Sequence, residues 1–248
     1  MIEIKGICKH FGDHRVLHEL FLTVKRGETI TIIGGSGSGK SVLLKHIIGL
    51  MKPECGTIAI DGIDITQLKE KKLFALIEQF GMVFQGGALF DSMTVGENVA
   101  FGIKNKDKLH RSEIETIVEQ SLEKVGLPGI PHLMPSELSG GMKKRVAIAR
   151  AIAKKPKIIM YDEPTTGLDP IMADVINELI IKVNESPEIT SIVITHDMVS
   201  AYKISDCIAM LYEGRIVETG TPDQIRNSTN PIVRQFIEGR SEGPIKIK

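Results

Sequence analysis

Residues Gly34-Gly35-Ser36-Gly37-Ser38-Gly39-Lys40-Ser41 fit G-x-x-x-x-G-K-[ST], and this run constrains the fold more than any other stretch of the chain. Glycines at this density let successive backbone N–H groups turn inward around phosphate oxygens. Thr29–Ile33 before it is β-branched and ends at Gly34. Lys40–Leu50 after it has Leu43, Leu44, Ile47, Ile48 and Leu50 at helical spacing. Strand, glycine turn and helix together form the context of a phosphate-binding loop. The helix would add its N-terminal partial positive charge. Lys40 would reach the outer phosphates, and the Ser41 hydroxyl would bind Mg²⁺.

A second patch of chemistry lies far downstream. Ile158–Tyr161 is apolar without alternation, as in a buried parallel strand, and it ends in Asp162-Glu163. Asp162 is expected beside the phosphate loop as a Mg²⁺ ligand, direct or through water. Glu163, one residue on, would orient and polarise an attacking water. Alone, an Asp-Glu pair after a strand is more often a helix cap or a solvated pair. A third motif, Leu138-Ser139-Gly140-Gly141-Met142, precedes the Ala-rich helix expected over Lys143–Lys154. A Ser and two glycines at a helix start make a second anion site. One nucleotide does not need two cradles, so the simplest use of this one is to contact a nucleotide held by another subunit.

Apolar strands and amphipathic helices alternate through most of the chain. That pattern predicts an α/β fold with a parallel sheet covered on both faces. Alternation in Ile2–Ile7 and Leu17–Lys25, with an Asp61-Gly62 hairpin between Thr57–Ile60 and Ile63–Ile65, predicts an antiparallel β region near the N-terminus. Asp169-Pro170 reads as an N-cap and first helical residue. The expected organisation is an ATPase domain over 1–226, a helical insert over about 86–145, and a polar, only partly ordered tail over 227–248. Lys+Arg and Asp+Glu both total 31 of the 248 residues, and Trp is absent, so no nucleic-acid partner is expected. Cys8, Cys55 and Cys207 are widely separated and are expected to be three free, buried thiols in a reducing compartment. No apolar run is long enough to span a membrane and the N-terminus carries no signal peptide, so a soluble, cytoplasmic chain is expected.

The order and spacing of these motifs resemble the ATPase subunits of ABC transporters. LSGG, about 20 residues before the strand ending in Asp-Glu, is similar to that family's signature. Gln85 resembles the Q-loop residue, Asp169 the D-loop aspartate and His196 the switch histidine. Phe11 stands where the family has an aromatic that stacks on adenine. The resemblance implies a P-loop ATPase using ATP and Mg²⁺. Its ATP site would comprise Phe11, Gly34 to Ser41 and Val42, with Ser41, Gln85 and Asp162 on the metal. Glu163, His196 and Gln85 would be catalytic. Two copies would pair head to tail, so that Ser139, Gly140, Gly141 and Asp169 act in trans on the partner's ATP. The chain would sit on the inner face of the cell membrane, bound to integral permease subunits.

Three positions depart from the common pattern. Met142 replaces a usual Gln, Gly35 a frequent Pro, and Val42 a frequent Thr or Ser. The Val42 side chain cannot hydrogen-bond an α-phosphate, although its N–H can. GGSGSGKSVLLKHIIGL, QGGALFDSMTVGENVAF and LSGGMKKRVAIARAIA together look like the ATPases of Mla- and Mce-type lipid transport systems. So does the tail Arg234–Gly239 followed by Glu242-Gly243-Pro244. That subgroup implies a phospholipid or other hydrophobic cargo and a Mce-type lipid-binding partner. The alternative is an importer of a small polar solute. The segment 86–101 is dense in apolar residues for the start of an insert, and its unburied part is expected to receive the permease.

Overall fold

The computed structural model describes residues 2–103 and 109–246. The part of the expected insert at 104–108 and the last two residues of the tail lie outside them. The chain begins with the strands β1 (Ile2–Phe11), β2 (His14–Val24) and β3 (Thr29–Ile33). The helix α1 (Lys40–Ile47) follows, then β4 (Cys55–Ile60), β5 (Ile63–Asp64) and α2 (Glu70–Ile77). After β6 (Phe80–Val83) come three helices, α3 (Val95–Ala100), α4 (Arg111–Lys124) and α5 (Gly140–Ala153). The chain then alternates through β7 (Ile158–Asp162), α6 (Pro170–Asn184), β8 (Thr190–Ile194) and α7 (Met198–Ile204). It finishes with β9 (Cys207–Tyr212), β10 (Arg215–Gly220), α8 (Pro222–Arg226) and α9 (Pro231–Glu238).

Two sheets result. The larger has the order β10-β9-β3-β8-β7-β6, parallel except for β10, which runs antiparallel at one edge. Every residue of β3 and β8 is buried, which explains why their sequences are apolar or β-branched at every position except the buried Ser191. The smaller sheet, β2-β1-β4-β5, is antiparallel and one-sided, so its strands alternate buried and exposed residues. One apolar cluster joins its inner face to α1 and one face of the large sheet, through residues such as Ile4, Leu22, Leu43, Ile60 and Ile192. A second cluster packs α3 to α6 on the opposite face, through Val99, Leu122, Ile148, Tyr161 and Ile176.

Two expectations need correction. Cys8 and Cys55 are joined as a disulfide, not free. They are direct partners in the β1–β4 register, with Cα atoms 5.1 Å apart, a separation that suits a disulfide. Their 47-residue separation in sequence concealed the pairing. The C-terminal segment is also more ordered than its composition suggested. The buried Val233 of α9 packs with Ile33, Ile208 and Met210. Gln235 bonds the backbone of Arg240 and Ile245, folding the end of the chain back over the helix.

Candidate nucleotide site

The parallel strands all deliver their carboxyl ends to one edge of the large sheet, where open α/β sheets bind ligands. Gly34 follows β3, Gln85 follows β6, Asp162 closes β7, and Thr195-His196 follows β8.

The loop after β3 owes its shape to glycine. Gly34 is buried at φ 155°, and a Cβ there would meet the Leu211 carbonyl oxygen at 2.3 Å. Gly37 and Gly39 have φ of 75° and 105°, in the left-handed region. Gly39 opens α1 with no side-chain cap, so the first N–H groups of the helix remain available to an anion. The Ser38 hydroxyl oxygen is buried with no hydrogen-bond partner among the described residues. Lys40 is buried and folds back, its Nζ donating to the Gly34 and Gly35 carbonyls at 2.8 and 2.9 Å. Burial pushes the Lys40 ammonium below its ordinary pKa, while Glu163 and Asp162 pull it up. This cradle, with an orphaned hydroxyl and a desolvated lysine, suits a polyphosphate.

Asp162 is not directly beside the phosphate loop. β8 runs between β3 and β7, so Asp162 approaches from two strands away. The intervening strand is the one that presents Thr195 and His196. Burial raises the Asp162 pKa and the neighbouring Glu163 raises it further, against Lys40, Lys45 and Lys144. The oxygens of Asp162, Ser41 and Gln85 are of the kind that suits Mg²⁺, an ion that keeps waters and substrate oxygens as its other ligands. The described residues hold no group of three or more His, Cys, Asp or Glu able to hold a metal alone.

Glu163 has φ 50°, which breaks the alternation by which neighbouring strand residues point to opposite faces. Its N–H still donates to the Ile194 carbonyl at 2.9 Å, extending the ladder to β8. Its carboxylate accepts from Thr166 Oγ1 at 2.9 Å and Thr195 Oγ1 at 3.4 Å. His196 Nδ1 lies 3.0 Å from Oε1 and 2.9 Å from Oε2. The carboxylate is nearly enclosed, at 13% exposure, whereas the imidazole is 61% exposed and free to meet a ligand. A base fixed on one side by hydroxyls and on the other by a His is positioned to activate water.

The remaining residues named from the sequence spread outward. Gln85 is exposed at the end of β6 and makes no hydrogen bond to the described residues. Phe11 stands 46% exposed at the β1–β2 hairpin, with Lys9 Nζ 5.6 Å from its ring centroid. Val16 and Leu17 of β2, not Phe11, pack against Gly39. Sequence reasoning missed Val16, and only its place in the alternating strand hinted at it. Ser139 is the N-cap of α5, accepting from the Met142 N–H at 3.3 Å. A Cβ on Gly141 would meet Met172 at 2.5 Å, and the Met172 N–H binds Asp169, so the signature and the Asp169 turn form one surface. Within one chain no hydrogen bond or apolar cluster joins that surface to Gly34–Ser41 among the described residues.

Residues 17–166 match the family model described as ABC transporter. An intermembrane phospholipid transport system ATP-binding protein, MlaF of Haemophilus influenzae, is 44% identical over all of this chain and 94% of its own length. A probable ribonucleotide transport ATP-binding protein, mkl of Mycobacterium leprae, is 42% identical over 98% of this chain and 70% of its own length. Among solved structures, a dimeric post-hydrolysis state of the ATP-binding cassette MJ0796, bound to ADP and Pi, superposes with a TM-score of 0.82. It is 32% identical, covering 90% of this chain and 99% of that one. The cbiO1 structure from Clostridium perfringens, part of the ABC transporter complex cbiONQ, gives 0.84 at 32% identity over 96% and 94%. The family match spans more than half of the chain and the fold is that of the solved cassettes, so this chain belongs to the ABC transporters, as an ATPase subunit.

Proposed function

We propose that this ATPase energises the movement of phospholipid or another hydrophobic compound through a partner permease. The observation that carries the ATPase mechanism is the Glu163 carboxylate, held by Thr166, Thr195 and His196 at the sheet edge that also bears the phosphate loop. Glu163 acts as the base toward the attacking water, and His196 and Gln85 orient that water and the γ-phosphate. Lys40 leaves the Gly34 and Gly35 carbonyls for the phosphates, and the backbone of Gly35 to Val42, with Ser36, Gly37, Ser38 and Gly39, lines them. Phe11 stacks on adenine. Mg²⁺, held by Ser41, Asp162 and Gln85, would neutralise charge on the phosphate oxygens.

The working unit in this reading is a head-to-tail homodimer, with Ser139, Gly140, Gly141 and Asp169 completing the partner's site. Residues 1–226 are the ATPase unit, with the helical insert at about 86–145, and 227–248 are a tail whose described part packs upon it. The dimer works at the inner face of the membrane, joined to permease subunits and a Mce-type lipid-binding protein. No described helix is long and apolar enough to cross a membrane.

Support for lipid comes from the MlaF relative, which is matched along nearly its full length. The name of the mkl relative favours a second reading, import of a small polar solute such as a ribonucleotide. The deciding experiment reconstitutes this chain with its permease in vesicles and follows labelled phospholipid and labelled ribonucleotide separately. ATP-dependent phospholipid transfer, absent with Glu163→Gln, is expected. ATP-driven ribonucleotide uptake without lipid transfer would replace this reading by the second.

A further inference from the structure

Lys144 lies on α5, five residues after Ser139, yet it is only 6% exposed. It falls on the apolar face, in helical register with the buried Gly141, Ile148 and Ala151. A buried ammonium is costly unless it is paired. Its hydrogen-bond acceptor is the Glu163 carbonyl oxygen, at 3.1 Å from Nζ. Burial lowers the Lys144 pKa, against the pull of the Glu163 and Asp162 carboxylates. The carbonyl that it holds belongs to the residue with φ 50°, a conformation that persists only where its surroundings fix it. The other donor to that oxygen is the Thr166 N–H, at a long 3.4 Å.

We propose that Lys144 is a positioning residue for hydrolysis: by gripping the Glu163 carbonyl it fixes the left-handed backbone that aims the carboxylate at His196. The same helix begins at Ser139, so Lys144 also ties the surface offered to the partner's nucleotide to the base of this chain's own site. This inference rests on Glu163 being the base.

Lys144→Met removes the donor and the charge while keeping a long side chain on the apolar face. The variant is expected to bind ATP within about twofold of the unmodified chain and to lose about ten- to a hundredfold in kcat, as misaimed catalytic groups do. Lys144→Arg, which restores a buried cationic donor, should recover most of the loss. In a Glu163→Gln background, adding Lys144→Met should cost less than about twofold more, because the group it positions is already disabled. A folded Lys144→Met protein with kcat within about threefold of normal would overturn the proposal, as would a loss that persists undiminished in the Glu163→Gln background. If Lys144→Met does not fold, the same cycle is run with Lys144→Gln and judged by the same persistence. Normal turnover by Glu163→Gln alone would instead remove Glu163 as base, a failure separate from that of Lys144.

Discussion

Cys8, Cys55 and Cys207 make the state of single residues measurable. With the Cys8–Cys55 disulfide formed, the denatured, unreduced protein should titrate one thiol per chain, and three after reduction. Three thiols before reduction would break the assigned pair. In the native protein, burial pushes the Cys207 thiol up to about 11, with the Glu28 carboxylate adding to the shift. The thiolate is the reactive form, so Cys207 should react with iodoacetamide about a hundredfold more slowly than an unperturbed cysteine at neutral pH. Its rate should still be climbing at pH 9. A rate plateau near pH 8 would mean that the thiol is not shielded. Single residues were legible in the sequence where function is written contiguously. Gly34 to Ser41 could be read in order because one turn of backbone builds the cradle. Val16, Thr195 and Lys144 could not, because each matters through a contact with a distant segment. The disulfide failed for the same reason, being a matter of strand register.

Two polar devices, one on α5 and one on α3, show what the helical elements do beyond filling space. Arg150, near the end of α5, donates to the Ala88 and Gly87 carbonyls at 2.6 and 2.7 Å. It thereby fixes the turn that follows Gln85, where Ala88 has φ 45°. The buried Asn98 amide of α3 donates to the Phe90, Met93 and Thr94 carbonyls, and its oxygen accepts from the Phe90 N–H. Asn98→Ala would strand these groups, costing about 2–3 kcal/mol and lowering the melting temperature by roughly 5–10 °C. A melting temperature within 1–2 °C of normal would show that water replaces the amide. Together Arg150 and Asn98 present Phe90 and Phe101 as a pair, centroids 4.5 Å apart, with each ring over a third exposed. Phe90→Asp should leave nucleotide binding intact and weaken co-purification with the permease by tenfold or more, since apolar anchors carry such docking. Undiminished co-purification would move the docking surface elsewhere. Long elements such as α4, α5 and α6 were legible from periodicity. The eight-residue α2 buries no side chain, and the six-residue α3 is too short for a period to emerge. α9 carried its signal in Asn230-Pro231, a cap and first-turn proline, but the polar residues around it hid the apolar face on Val233 and Phe236.

At the scale of the whole molecule, the two surfaces proposed to meet the nucleotide lie apart in one chain. The phosphate loop lies between β3 and α1, whereas Ser139 and Asp169 cap helices on the other side of the large sheet. The segments that carry Asp169 and His196 also expose large apolar side chains, Ile171 at 78% and Val199 at 74%. A surface of this kind, apolar residues beside functional polar ones, is what a self-association face looks like. A head-to-tail pair would cover it and bring each signature to the other chain's loop, an arrangement with twofold symmetry and two equal sites. Ser139→Arg would then block the partner's γ-phosphate without touching the chain's own cradle. It should abolish hydrolysis, with ATP binding to the isolated chain within about twofold of normal. Lys40→Ala should be inactive for the opposite reason, having lost the phosphate contact and kept an intact signature. In a mixed dimer of the two variants, one site combines both defects. The other pairs the intact phosphate loop of the Ser139→Arg chain with the intact signature of the Lys40→Ala chain. Mixing two inactive proteins should therefore restore hydrolysis, up to one working site per mixed dimer, and the rate should peak near equal proportions. If each chain worked alone, Ser139→Arg by itself would retain full activity, and mixing it with Lys40→Ala would give only the activity that its own share of the mixture brings, with no peak near equal proportions.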